Sequence, residues 1–463
     1  MTSEETTRFN SLALRPELLQ ALSAVNYVEM TPIQAGSATA ILDGRDLVAQ
    51  AETGSGKTAA FAIGILNKLE LTLFETQALV ICPTRELSDQ VAEEIQRLAS
   101  GMANTRVLTL CGGKPMHDQL ISLKREPHIV VGTPGRLKKH LEKGTLNISG
   151  VQTLVLDEAD RMLDMGFYED IMSILGRTSQ ERQTLLFSAT YPTEITSISR
   201  SIQYDPVEVK VAASSTTEQI EQLFVFAKED QKLEALYRAL GKYQPDNAII
   251  FCNRKKHVQD LCDTLTQAGY HARALHGDLE QRERDEAILL FANKSVSLLI
   301  ATDVAARGLD INALSAVINY DITPDPENHL HRIGRTGRAG LEGLAITLVD
   351  PEEVHRVRAI EQFMKAEFKF GELHAYDRDD GSITTPETRT IQLSAGKKDK
   401  IRPGDIVGAL TASTELSKDD IGKIKVQAKV AFVAIAYNKA KIALKILSEE
   451  RIKKQKVRAR IIQ

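Results

Sequence analysis

Ala51-Glu52-Thr53-Gly54-Ser55-Gly56-Lys57-Thr58 follows the short apolar run Asp46-Leu47-Val48-Ala49-Gln50 and leads into Ala59-Ala60-Phe61-Ala62-Ile63. Strand, glycine-containing loop, Lys-Thr and helix form the arrangement that wraps backbone N–H groups around phosphate oxygens. Gly54 and Gly56 let the backbone approach the phosphates without an intervening Cβ. Lys57 is expected to reach the β- and γ-phosphates, and the Thr58 hydroxyl to bind Mg²⁺. Ala51 stands where the usual pattern has its first glycine.

Outward from this loop, short apolar runs alternate with amphipathic stretches: Leu79-Val80-Ile81, Ile129-Val130-Val131, Leu154-Val155-Leu156 and Leu185-Leu186-Phe187. Continuous apolar runs read as buried parallel strands, and the segments between them are long enough for crossover helices. The expected result is a doubly wound sheet that binds ligands outside the carboxyl ends of its strands. Each run ends in polar or glycine-containing sequence: Pro83-Thr84-Arg85, Gly132 to Arg136, Asp157-Glu158-Ala159-Asp160, Ser188-Ala189-Thr190. These four tips belong on one edge of the sheet, beside the phosphate loop. Asp157 is expected to hold Mg²⁺ opposite Thr58, and Glu158 to polarise the attacking water.

These motifs, in this order, resemble the DEAD-box family of ATP-dependent RNA helicases. Asp157 to Asp160 spell its name, accompanied by A-E-T-G-S-G-K-T, P-T-R-E-L, T-P-G-R and S-A-T. The resemblance implies two RecA-like doubly wound α/β domains, with ATP and Mg²⁺ as cofactors and RNA as partner. Phe9 to Gln34 resembles the family's adenine-sensing segment, with Gln34 offering donor and acceptor to the base and Tyr27 and Phe9 an aromatic face. Asn26 replaces the usual glycine there. ATP binding is thereby assigned to Phe9, Tyr27, Gln34 and Ala51, Glu52, Thr53, Gly54, Ser55, Gly56, Lys57 and Thr58. RNA backbone contacts fall to Pro83, Thr84, Arg85, Gly112-Gly113, Thr133 and Arg136, donors that suit phosphate oxygens and read no base sequence. Ser188 and Thr190 would couple nucleotide state to strand opening.

A second set of apolar runs follows a small polar hinge, Ala212 to Thr217: Leu223 to Phe226, Ala248 to Cys252, Leu298 to Ala301 and Ala316 to Ile318. This second α/β sheet has no phosphate loop. His331-Arg332-Ile333-Gly334-Arg335-Thr336-Gly337-Arg338 resembles a further family motif. Arg335 and Arg338, three apart, are expected on one helical face, as fingers for the γ-phosphate. Ala301 to Asp310 matches another motif. By resemblance Asp310 meets the ribose, Thr302, Arg307 and Gly308 meet RNA, and His331 senses the D-E-A-D segment. Asn253, Arg254 and Gln281-Arg282 correspond to weaker RNA-facing motifs. ATP and RNA would each favour closing the two domains, and so assist one another's binding.

The 463 residues carry a net charge of −4, which conceals a division. Residues 389–463 hold 18 Lys+Arg against 7 Asp+Glu, and the remainder 40 against 55. A basic module after an acidic body favours polyanions, nucleic acid first. Its apolar pattern predicts strand (Arg389 to Leu393), helix (Asp405 to Leu410), strand (Ile421 to Val426), strand (Val430 to Ala436), helix (Lys439 to Leu447) and strand (Lys456 to Ile462). That βαββαβ order is the RNA-recognition-motif (RRM) pattern. The usual stacking aromatics are reduced to Phe432, so basic groups are the expected RNA contacts, chiefly Lys398, Lys400, Arg402, Lys453, Lys454 and Arg458. Lys400 to Leu410 and Ile421 to Ile424 resemble the bacterial DEAD-box protein A (DbpA) subfamily. That likeness implies targeting to a hairpin of 23S ribosomal RNA in large-subunit assembly.

The expected organisation is residues 1–210 and 211–370 as RecA-like domains, 371–388 as linker and 389–463 as a small α+β RRM-like domain. No apolar run approaches the about 18 residues of a membrane span. The polar start and four cysteines without metal-ligand spacing point to a reducing cytoplasm, and the resemblance implies a monomer. Rival readings are an ATP-gated RNA clamp, a DNA translocase, and a DEAD-box helicase with another structured RNA target.

Overall fold

The computed structural model describes residues 7–51, 54–191, 193–211, 220–306, 314–337, 342–371, 383–412, 415–449, 451–453 and 455–462. The hinge expected at 212–217 and most of the 371–388 linker lie outside them. The chain forms two compact units.

In the first unit, seven strands make one all-parallel sheet: β1 (Leu47–Gln50), β2 (Ala78–Ile81), β3 (Val107–Leu110), β4 (Ile129–Gly132), β5 (Thr153–Leu156), β6 (Gln183–Ser188) and β7 (Val207–Lys210). Their order is β3-β4-β2-β5-β6-β1-β7. The central strands are buried along their whole length because helices cover both faces. One face packs Phe61, Val80, Val155 and Phe187; the other packs Leu79, Val130, Leu156 and Leu186. The order puts the loops after β1, β6 and β5 side by side. The loops after β2, β4 and β3 occupy the other half of the same carboxyl edge.

The second unit repeats this plan with β8 (Ile220–Phe226), β9 (Ala248–Phe251), β10 (Ala272–Leu275), β11 (Leu298–Ala301), β12 (Ala316–Asn319), β13 (Gly343–Val349) and β14 (Phe370–Gly371). All are parallel, in the order β10-β11-β9-β12-β13-β8-β14. Counted from its own first strand, each sheet therefore has the order 3-4-2-5-6-1-7.

The same unit carries a small antiparallel sheet of β15 (Thr388–Leu393), β16 (Ile421–Val426), β17 (Ala431–Ala436) and, after a two-stranded ribbon of β18 (Arg451–Ile452) with β19 (Gln455–Lys456), β20 (Ala459–Ile461). Its order is β16-β17-β15-β20. With the helices Pro403–Leu410 and Ala440–Glu449 this completes βαββαβ. The expected single last strand is broken into ribbon and strand. Period-2 alternation sends Ile391, Leu393, Ala431, Val433 and Ile435 into the core under the helices. The opposite face of β15 packs on the second large sheet's domain: Asn293 Nδ2 donates to Thr390 Oγ1 at 3.0 Å, Ser295 Oγ lies 2.8 Å from the hydroxyls of Thr388 and Thr390, and the Thr388 N–H donates to the Lys294 carbonyl. The Arg389 guanidinium sits 4.2 Å over the Tyr437 ring, with His271 at its edge.

Candidate nucleotide and RNA sites

The phosphate loop ends in a left-handed glycine, Gly56 at φ +97°, which caps the helix Lys57–Lys68. Such a turn puts successive N–H groups on one concave side, and the helix dipole adds partial positive charge there. Lys57 is buried, its Nζ donating to the Ala51 carbonyl at 2.8 Å. The Ala51 N–H in turn donates to Ser188 O at 3.0 Å, fixing the loop to the end of β6. Glu52 and Thr53 lie outside the described residues.

The adenine-sensing segment clasps this loop from behind. Thr31 Oγ1 donates to Ser55 O at 2.7 Å, and Gln34 Nε2 donates to Gly56 O at 3.1 Å. Gln34 Oε1 accepts from the Thr31 N–H at 2.8 Å, closing a capping box on the helix Pro32–Leu42. The Gln34 amide thus grips loop and helix cap, where an adenine edge was expected. A Cβ on Gly56 would come within 2.5 Å of Gln34 Nε2, so only glycine fits. Phe9 and Gln34 line one small apolar pocket together with Met30, Ile41 and Ile63. Tyr27 does not line it: its hydroxyl accepts from Arg97 at 2.7 Å and donates to Glu94 at 3.2 Å, and Phe9 stacks at 6.2 Å.

After β5, Asp157 and Glu158 are 2% and 4% exposed. Burial pushes the Asp157 carboxyl up to about 7; the Lys57 charge pulls it down and Glu158 pushes it further up. Its Oδ1 is buried with no hydrogen-bond partner among the described residues. A buried, unpartnered carboxylate oxygen is costly by itself and suits a hard cation. Asp157 with Thr58, on the first turn of the Lys57–Lys68 helix, therefore fits a Mg²⁺ ion. Glu158 adopts left-handed backbone (φ +53°) and caps the helix Ala159–Asp164; its Oε2 accepts from Arg161 Nη1 at 2.7 Å.

Asp160 binds the end of β6: its Oδ2 accepts from the Ala189 and Thr190 N–H groups and from Thr190 Oγ1 at 3.0, 2.8 and 3.0 Å. Burial pushes its carboxyl up, but these donors and Lys57 outweigh it and hold it below its ordinary value. Its own N–H donates to Ser188 Oγ at 3.3 Å. Ser188 and Thr190 are thus the physical joint between the loops after β5 and β6. The sequence reading missed the role of Asp160.

On the other half of the edge, Thr84 caps the helix Arg85–Leu98, its Oγ1 accepting from the Leu87 N–H. The Arg85 guanidinium lies against Gly112 and Gly113; a Cβ on Gly113 (φ +75°) would collide with it. Thr133 precedes the helix Pro134–Glu142, and Pro83 is buried behind. Arg136 Nη1 donates to Gln119 Oε1 at 2.8 Å and to the Lys114 carbonyl. The chain's two halves of this edge thus separate the expected phosphate-binding and RNA-binding residues.

In the second unit, Arg332 is the centre. It is 1% exposed, and its guanidinium donates to Asp303 Oδ1 and Oδ2 (both 2.6 Å), Asp321 O (2.7 Å), Asn253 Oδ1 (2.8 Å) and Asn319 Oδ1 (3.3 Å). Asn253 also donates from Nδ2 to Ile322 O and from its N–H to Asp321 Oδ2. Its side chain is committed within the protein although both it and Arg254 are exposed. One signal could have found Arg332: with His329 and Ile333 it forms the inward i, i+3, i+4 stripe of its helix.

The helical face expected for Arg335 is corrected. The helix Pro326–Ile333 stops at Gly334, so Arg335, 5% exposed, lies beyond it and its carbonyl accepts from the Leu314 N–H. Thr336 then bridges to Leu314 and Gly337 turns at φ +66°, geometry incompatible with helix. His331 is half-buried, Thr302 buried, and Gln281 starts the helix Gln281–Ala292 with Nε2 donating to Asp285. Arg307, Gly308, Asp310 and Arg338 lie outside the described residues.

In the small domain Lys398, Lys400, Arg402, Lys453 and Arg458 are exposed; Lys454 is outside the described residues. Lys453 Nζ donates to the Lys400 carbonyl at 2.8 Å and pairs with Asp405 at 3.1 Å, drawing the ribbon against the 396–402 loop. Phe432 is only 8% exposed.

Comparison with known families supplies the decision. Residues 31–198 match the DEAD/DEAH box helicase family, 231–340 the helicase conserved C-terminal domain and 390–461 the DbpA RNA binding domain. The ATP-dependent RNA helicase DbpA of Escherichia coli (strain K12) is 47% identical over 459 residues, 98% of this chain and 100% of that protein. The chain is a DEAD-box RNA helicase of the DbpA type. The DEAD-box helicase CshA of Geobacillus kaustophilus (strain HTA426) is 44% identical over 78% of this chain and 77% of its own length. Among solved structures, S. cerevisiae Dbp5 bound to RNA and ADP BeF3 superposes with a TM-score of 0.72 at 30% identity, covering 80% of this chain and 96% of that one. As a DEAD-box helicase the protein hydrolyses ATP and acts on RNA. Among the described residues no helix is long and apolar enough to cross a membrane.

Proposed function

We propose that this DbpA-type helicase opens or remodels short stretches of RNA in large ribosomal subunit precursors, brought to a hairpin of 23S ribosomal RNA by its C-terminal module. One observation carries the targeting: the likeness to a DbpA RNA binding domain continues through the basic module, over residues 390–461. The exposed Lys398, Lys400, Arg402, Lys453 and Arg458, with Lys454, grip the RNA backbone there. The protein works as a cytoplasmic monomer.

In the ATP-bound state Lys57 leaves the Ala51 carbonyl for the β- and γ-phosphates, and the Gly54–Gly56 amides donate to phosphate oxygens. Thr58 and Asp157 would hold Mg²⁺, which would offset phosphate charge. Glu158 takes a proton from the attacking water. Arg335 and Arg338 stabilise charge on the γ-phosphoryl group, His331 senses the D-E-A-D segment and Asp310 meets the ribose. Phe9 receives the base with Gln34, whose amide must then exchange the Gly56 carbonyl for the adenine edge. Pro83, Thr84, Arg85, Gly113, Thr133 and Arg136 hold one RNA strand by its backbone. Arg254, Gln281, Thr302, Arg307 and Gly308 add contacts from the second sheet, with Asn253 setting the loop.

The test is ATPase stimulation by 23S ribosomal RNA fragments against unrelated hairpins of equal length. The expected result is preferential stimulation by one 23S hairpin, lost when Lys398, Lys400 and Arg402 are changed to glutamine. Equal stimulation by all hairpins would overturn the targeting.

A further inference from the structure

Glu158 and Arg161 form a buried pair beside the phosphate loop, each side chain 5% exposed and the Oε2–Nη1 distance 2.7 Å. Three constraints meet at this carboxylate. Its backbone is fixed in the left-handed region at the cap of a short helix, and the Glu158 carbonyl accepts from the Met162 N–H. Arg161 is fixed in turn, its N–H donating to Asp160 Oδ1 at 2.9 Å, on the carboxylate that holds the end of β6. A charge-assisted bond to a buried guanidinium is strong and directional. It occupies one carboxylate oxygen and leaves the other for a water molecule.

We propose that Arg161 is a positioning residue for the general base: it pins Oε2 of Glu158 so that Oε1 faces the attacking water. The proposal rests on Glu158 being the base. As the water oxygen bonds to the γ-phosphorus, its proton passes to Oε1 and the bond from the γ-phosphorus to the bridging oxygen breaks, the electron pair leaving with ADP. A carboxylate free to rotate would meet that water in fewer of its orientations. Because the Arg161 N–H donates to Asp160, the backbone that carries the guanidinium is anchored to the joint with Ala189 and Thr190.

The experiment compares Arg161→Gln and Arg161→Lys with Glu158→Gln and the Glu158→Gln/Arg161→Gln double variant in the full chain. Measured quantities are single-turnover and steady-state ATP hydrolysis with RNA, the affinity for a fluorescent ATP analogue, and the melting midpoint. Arg161→Gln is expected to lower kcat by about tenfold to a hundredfold, within the share of a general base, with KM and analogue affinity unchanged. Arg161→Lys should restore part of the rate. In the Glu158→Gln background Arg161→Gln should add no further loss. Unchanged kcat in a folded Arg161→Gln variant, a rise in KM equal to the fall in kcat/KM, or the same loss with and without Glu158 would each overturn the positioning role. Undiminished turnover in Glu158→Gln would instead sink the assignment of the base itself.

Discussion

The two large sheets have the same strand order but use their carboxyl edges differently. In the first, the loop after the first strand is open glycine backbone, and its lysine, Lys57, leads the following helix and bonds to a backbone carbonyl. In the second, the helix after the first strand also begins with a buried lysine, Lys232. That lysine pairs with Glu229 at 2.8 Å and with Asp321 at 3.2 Å. Asp321 follows the fifth strand of its sheet, as Asp157 does in the first. Topology thus brings lysine and aspartate together twice. The first sheet interposes a phosphate cradle and leaves a carboxylate oxygen with no partner among the described residues; the second joins the two charges and adds Arg332 to tie neighbouring loops. Fold places the charges, and the loop between them decides whether they await a ligand.

The sharpest test of this contrast exchanges the two lysines' roles. Lys57→Ala is expected to lower ATP turnover by at least about a hundredfold, the scale of a lost phosphate clamp, with the melting midpoint nearly unchanged. Lys232→Ala is expected to do the reverse: nucleotide affinity is retained, and stability falls by about 3 kcal/mol because buried Asp321 loses the lysine charge at its Oδ1. Loss of nucleotide binding in Lys232→Ala would break the comparison. Arg332→Lys, which keeps the charge but loses the planar fork, should cost a similar amount, about 3 kcal/mol, read as the denaturation midpoint of the second unit. Thr390→Val removes a fully buried hydroxyl shared by Asn293 and Ser295 and is expected to cost about 1–2 kcal/mol.

Near neutral pH the smallest effect is that of His329 in the second unit, which grows only as the solution is acidified. Burial, with the nearby Arg332 charge, pushes the imidazole of His329 down to about 3 from 6.5; Gln222 Oε1 and the rings of Phe224 and Phe368 surround it. The unfolded chain takes up a proton that the folded one refuses. The stability from neutral His329 is therefore complete above pH 6.5 and is lost as pH falls from 6.5 towards 3. His329→Gln should flatten that part of the stability curve, measured by circular dichroism since the chain has no tryptophan.

Much of this was legible in the sequence because the determinants are local. Apolar runs located most core strands of both sheets, though not β13, since a strand buried on both faces has nowhere to put a polar side chain. The alternation of Ile391, Leu393, Val433 and Ile435 read out the small sheet for a similar reason. What escaped depends on contacts between distant segments. The spacing of Arg335 and Arg338 suggested a helix, but Gly334 and the bridge from Thr336 to Leu314 end it first. Gln34 read as a base sensor, yet its amide also clasps Gly56, 22 residues away. Arg332 escaped because its partners come from three loops that only the sheet order assembles. The reduced aromatic content of the small sheet was visible; its structural counterpart, hydroxyls on β15 bonded to residues 293–295, was not.

Those hydroxyl contacts make the basic module a bracket instead of a leash. An RNA seized by its outer loops would hold a set bearing to the carboxyl edge of the second sheet. Reach and angle would then be properties of a solid join, and lengthening the chain ahead of Thr388 should do little to change which nearby strand the enzyme meets.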